Sequence, residues 1–209
     1  RTSTSTRTRC CRLWPVASDL AISSRHSSTH LPDLQGPATP AAALKQCDPE
    51  PVEYSASDVD AMRAALAIAE SALSTADVPV GAVVLDPSGA VIGRGANRRE
   101  ADSDPTAHAE VVALREAANQ LSNWRLDGCT LVVTLEPCAM CAGAAMQSRV
   151  ARIVFGAFDD KAGAVGSLWD VVRDRRLYHQ PEVVSGLMAS ESATLLTKFF
   201  VGQRSSRDM

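Results

Sequence analysis

Past residue 53 the apolar positions switch repeatedly between a helical and an extended period. Met62, Leu66, Ile68, Ala69 and Leu73 recur at helical spacing behind Ser57-Asp58-Val59-Asp60, which offers caps and first-turn acids. Val80–Leu85 is a continuous apolar run fit for a buried strand. Asp86-Pro87-Ser88-Gly89 is a turn sequence and Val91 and Ile92 restart a strand, which predicts a β-hairpin over 80–95. Asp104-Pro105-Thr106 reads as a helix start capped at Asp104, with His108, Glu110, Val111, Leu114 and Ala118 on that helix. Cys129–Leu135 is a second apolar strand, and Pro137 opens a helix running through Met146. Ala151–Phe155 and the short Glu182–Val184 segment read as strands, Gly163–Trp169 as a Gly-rich loop, and Ala193–Val201 as a last helix. Strands separated by helices, with one hairpin, predict a three-layer α/β/α sandwich around a central mixed sheet.

Residues 1–53 lack this periodicity. They scatter Pro15, Pro32, Pro37, Pro40, Pro49 and Pro51, and open on a Thr/Ser/Arg run from Arg1 to Arg12 without an acid. A disordered extension is expected there. The acid-poor opening also fits an organellar transit peptide, without the clear amphipathic helix such a peptide carries. The folded domain is expected over 54–204, with a C-terminal tail at 205–209.

Composition narrows the function. Of 209 residues, 45% are apolar, enough for a core, while the net charge of −3 makes any nucleic-acid contact local rather than global. Aromatics at 4% leave no broad base-stacking platform. No apolar run reaches the ~18 residues of a spanning helix, so no membrane partner is expected. The six cysteines are Cys10, Cys11, Cys47, Cys129, Cys138 and Cys141. Their placement is unlike a secreted disulfide framework and favours a reducing, cytoplasmic compartment.

The candidate chemistry lies in His108-Ala109-Glu110 and Pro137-Cys138-Ala139-Met140-Cys141. His108, Cys138 and Cys141 are three ligands suited to Zn²⁺, one ion per subunit, and a catalytic zinc site leaves its fourth position for water. Cys138 and Cys141 are three apart and share a helical face at a helix start, where free N–H groups favour thiolates. Glu110 does not share a face squarely with His108. It is better placed beside the metal than on it, as the base that deprotonates the activated water and passes the proton to substrate and leaving group.

These residues match the zinc deaminase pattern His-x-Glu with Pro-Cys-x-x-Cys. Val78–Val83, Gly95-Ala96-Asn97-Arg98, Asp104–Glu110, Val133–Cys138, Phe155-Gly156-Ala157 and Gly163–Leu168 extend the match, so that residues 54–204 resemble the bacterial tRNA adenosine deaminases of the cytidine deaminase superfamily. The resemblance implies adenosine-to-inosine conversion at the wobble position of a tRNA anticodon stem-loop, and a homodimer. It implies that Asn97 hydrogen-bonds the flipped base, that Val80 walls its pocket, and that the Ala109 backbone N–H helps hold it. Asp159, Lys161 and the last helix with Phe199 and Phe200 would lie near the anticodon loop. Phe158 stands where members of that family can carry a basic residue, so the resemblance implies no phosphate contact there.

Two other functions fit the motif. One is the same zinc chemistry on a free base or nucleotide: guanine, cytosine or deoxycytidylate. The other is an inactive, RNA-binding partner subunit, which the presence of Glu110 disfavours. Glu136 serves either a loop or the substrate. His179 is either a surface residue or an RNA contact. Arg149, Arg152, Arg173, Arg175 and Arg176 are either a solvated face or phosphate contacts. Trp124 and Trp169 are expected to pack, and Cys129 to be a buried strand thiol.

Overall fold

The structure, a computed structural model, describes residues 54–207. The expected disorder of 1–53 falls outside the described residues. Five strands form one mixed sheet: β1 (Gly81–Leu85), β2 (Val91–Ala96), β3 (Thr130–Leu135), β4 (Arg152–Ala157) and β5 (Glu182–Ser185). Their order is β2-β1-β3-β4-β5. β1 is antiparallel to β2 and β3, while β4 runs parallel to both β3 and β5. Strand alternation sorts the side chains between two cores. Val83, Leu85, Val132 and Val154 point to helix α1 (Ala56–Ser71), whereas Ala82, Val84, Leu131, Val133, Ile153 and Phe155 point to α3 (Ala109–Leu121) and α4 (Ala139–Gln147). Helix α5 (Ala189–Arg207) covers β4 on the α1 side, where Gly156 leaves room for Ser192. The expected sandwich with a mixed sheet is the fold.

Glycine sets how closely the helices approach. A Cβ on Gly95 would stand 2.1 Å from the Ala109 carbonyl oxygen, and one on Gly81 would stand 2.0 Å from that of Ala65. The backbones of α3 and α1 therefore rest directly on the sheet.

Several boundaries differ from the sequence reading. Ser55 caps α1 by accepting from the Asp58 N–H at 3.1 Å. Asp58 itself is buried and receives both terminal nitrogens of Arg152 at 3.1 Å. Asp104 does not cap α3. Its carboxylate closes a tight turn onto the N–H and hydroxyl of Thr106, the backbone is extended at His108, and the helix begins at Ala109. A four-residue helix α2 (Arg99–Asp102) was not anticipated. Its first N–H groups are satisfied from a distance, by the buried Asp77 carboxylate reaching Glu100 at 2.8 Å and Ala101 at 3.2 Å, so no local cap announces it. The last helix is longer at both ends than expected and continues through Arg207, into the stretch expected to be a tail.

Candidate active site

Two helix starts converge at one place. His108 is the N-cap residue of α3 and Cys138 that of α4, with Cys141 one turn further on. Each cap residue is extended, so each side chain turns off its helix end toward the other. The His108 Nδ1 lies 3.8 Å from the Cys138 sulfur and 3.5 Å from the Cys141 sulfur, and the three donor atoms all lie within 4.8 Å of one another. Tetrahedral zinc, with bonds near 2.3 Å to sulfur and 2.0–2.1 Å to nitrogen, sets an N···S edge of about 3.6 Å. The donor set fits that ion and leaves one corner free.

The local charges suit the same reading. The thiol of Cys141 and the ring of His108 hold the Cys138 thiolate at a pKa of about 3. That thiolate and burial in turn push the Cys141 thiol far up, so without an ion the pair shares one proton. The Cys138 thiolate also raises the pKa of His108, against burial. A divalent ion removes the need for that shared proton. Glu110, in the first turn of α3, is 4% exposed. Burial pushes its carboxyl up to about 7, with the Cys138 thiolate adding to the effect.

His108, Glu110 and Cys138 floor a cavity of about 150 Å³ whose walls include Val78, Val80, Asn97, Ala109 and Asp159. Asn97 is not a turn residue bonding its own backbone. It is 7% exposed, its Nδ2 donates to the Val78 carbonyl at 3.2 Å, and its Oδ1 is buried without a partner. A buried acceptor left open at a cavity wall is suited to a donor on a ligand.

The comparisons with known proteins agree. Residues 55–157 match the model of the cytidine and deoxycytidylate deaminase zinc-binding region. The chain is 47% identical over 150 residues to the tRNA-specific adenosine deaminase of Haemophilus influenzae, covering 72% of this chain and 87% of that protein. This chain belongs to the tRNA-specific adenosine deaminase family. A solved tRNA:A34 deaminase, studied for A-to-I editing at the wobble position, is 44% identical with a TM-score of 0.63, over 66% of this chain and 99% of that one. A guanine deaminase from Nitrosomonas europaea shares the fold at 28% identity and a TM-score of 0.58, over 82% of this chain and 98% of that one.

In this adenosine deaminase relative the remaining expected residues divide between two neighbouring spaces. Val80, Asn97, Ala109 and Asp159 line the cavity. Lys161, Phe199 and Phe200 line a broader groove of about 860 Å³ that shares Val78 with it. The Asp159 carboxylate accepts from the backbone N–H groups of Lys161 and Ala162, fixing the turn at the rim. Glu136 takes the loop-organising role: its carboxylate accepts from the N–H groups of Asp159, Val165 and Ser167 at 3.0–3.2 Å.

The basic clusters are largely neutralised. Arg152 pairs with Asp58 and Glu182, Arg173 with Asp170, and Arg176 with Asp174. His179 is tied to the Val150 carbonyl at 2.6 Å. Trp124 and Trp169 do not pack inside; each is 62% exposed, because both stand in connecting segments, and the Arg125 guanidinium lies over the Trp124 ring. Cys129 is buried as expected. Sequence reasoning missed Arg99, an exposed residue on the cavity wall whose position follows from α2, for which no local signal exists.

Proposed function

We propose that this protein hydrolyses adenosine to inosine at the wobble position of a tRNA anticodon, releasing ammonia. The observation that carries this reading is the pairing of a cavity of nucleobase size with a larger groove opening beside it. A single base fits the first, and the groove offers Phe199, Phe200, Lys161 and Arg204 to the nucleotides on either side. Free guanine, the substrate named for the Nitrosomonas structure, has no use for such a groove.

His108, Cys138 and Cys141 would hold a zinc ion, which when bound would supply a water acidified toward pKa ~7. Glu110 accepts its proton as the oxygen adds to C6 of the base. The carboxyl hands that proton to ring N1, then relays the proton of the new C6 hydroxyl to the amine as the C6–N bond breaks, so that adenosine and water leave as inosine and ammonia. Val80 and the backbone of Ala109 bound the ring, and the open Oδ1 of Asn97 accepts a hydrogen bond from the bound nucleoside. Asp159 shapes the rim.

A homodimer belongs to the same reading. Met140 is 37% exposed on α4, and nothing crowds Gly143, which leaves this helix an apolar outer face. Light scattering on the purified chain tests it. A tRNA substrate and reduced metal-binding thiols fit a cytoplasmic reaction. No described helix is long and apolar enough to cross a membrane.

The deciding experiment incubates the zinc-loaded protein with an anticodon stem-loop carrying adenosine at the wobble position and sequences for inosine. Inosine at that one position is expected. Turnover of free guanine with none on the RNA overturns the reading.

A further inference from the structure

Among the described residues most arginines are held in ion pairs, Arg98, Arg125, Arg152 and Arg176 among them. Arg98 and Arg99 make the contrast local. The Arg98 guanidinium is clamped by both carboxylate oxygens of Asp102, at 2.8 and 2.6 Å. The side chain of Arg99, the next residue, makes no hydrogen bond or ion pair with any described residue, is exposed, and stands on the wall of the catalytic cavity. Two more cations whose side chains lack a partner among the described residues, Lys161 and Arg204, line the adjoining groove. The one acid there is Glu100. Cavity and groove meet at Val78, so the three cations border one continuous surface.

We infer that Arg99 is a phosphate-binding residue that grips the RNA backbone beside the edited nucleotide, with Lys161 and Arg204 continuing the track for phosphates further along the strand. This rests on the substrate being RNA. A base turned into the cavity leaves its own phosphates at the mouth, where the base-contacting residues cannot reach them. Phosphates of an unpaired loop carry no sequence information, and an arginine left without a protein partner supplies a charge-assisted contact to them. Arg99 is held there from behind: Asp77 pins the first N–H groups of α2, and the neighbouring Arg98–Asp102 pair closes the same short helix. The free cation therefore sits on a fixed backbone.

The test compares wild type, Arg99→Gln, Arg99→Lys and Arg99→Glu as zinc-loaded protein on the anticodon stem-loop. Arg63→Gln serves as the charge-loss control, since Arg63 pairs with Asp60 on the outside of α1. Arg99→Gln is expected to raise KM about tenfold with kcat within about twofold, because the contact is made equally in ground and transition states. Its log KM should depend less steeply on log salt, by about 0.7, the share of one phosphate on a single strand. Arg99→Lys should recover most of the loss and Arg99→Glu should deepen it, while Arg63→Gln leaves KM unchanged. An unchanged KM and salt slope in Arg99→Gln overturns the inference. So does a loss confined to kcat, which points to a role in holding the site. Absence of inosine with the wild-type protein instead defeats the proposed function.

Discussion

The Glu136 carboxylate accepts the backbone N–H of Val165 at 3.0 Å across 29 residues of sequence, inside a protein where both are buried. One oxygen serves Val165 and Ser167, the other Asp159, so a single side chain organises the loop that forms one rim of the cavity. Gly163 is part of the same arrangement, since a Cβ there would stand 2.5 Å from this carboxylate. Glu136→Ala strands several N–H groups at about 1–3 kcal/mol for each that finds no water. We expect a lower melting temperature and loss of activity, with Glu136→Gln intermediate because one acceptor remains. Burial raises the Glu136 pKa, but the donors outweigh it and the net shift is downward. The contribution is therefore complete above about 4.5, the ordinary value, and is lost as pH falls through the lower folded value. Acid titration of the melting temperature of wild type and Glu136→Gln checks this; parallel curves would contradict it.

Glu110→Gln is expected to keep its zinc and lose turnover by 10²–10⁴-fold, the usual share of a general acid–base group. Zinc content by mass spectrometry and inosine formation by sequencing are the two readouts. Turnover near wild type would remove Glu110 from the mechanism.

Asp58 joins the start of α1 to β4 through Arg152. Burial raises the Asp58 pKa, while the bonds from Arg152 and Ser55 lower it, and the net shift is below 3.8. Its stabilisation is thus present above pH 3.8 and fades as pH falls further. Asp58→Ala should cost about 2 kcal/mol at neutral pH, in the range for hydrogen bonds to charged groups. Urea melts at pH 7 and pH 3 test both parts: the difference between variant and wild type should shrink at the lower pH.

Gly95→Ala puts a methyl group where the Ala109 carbonyl now lies. Helix α3 must move outward, carrying Glu110 and its N-cap His108 away from the thiols on α4. Weakened zinc retention on dialysis and a large fall in kcat are expected. Gly202→Ala on α5, whose added Cβ meets nothing within 4 Å, is the matched substitution and should leave the metal in place.

Much of this was legible in the sequence because local rules govern it. Val80–Leu85 is apolar and Cys129–Leu135 is β-branched and apolar, and they became the interior strands β1 and β3 to within a residue. His108, Glu110, Cys138 and Cys141 were readable from ligand chemistry and spacing. What local rules do not carry was missed. Asp104 offered an apparent cap but closes a turn, and the extended backbone of His108 itself aims the ring at the sulfurs. Helix α2 depends on Asp77, more than twenty residues away, and so the place of Arg99 was hidden with it. Asp58 read as a first-turn acid, although its main partner is 94 residues off.

The ligand set has a consequence beyond chemistry. His108 belongs to α3 and the two thiols to α4, 30 and 33 residues further along. An ion held by all three is a reversible cross-link that closes a chain loop of that length, and such closure removes entropy from the unfolded ensemble. Chelation should therefore do more than stop turnover. It should let the two helices on one face of the sheet open independently of the rest, visible as faster amide exchange in α3 and α4 than in α1.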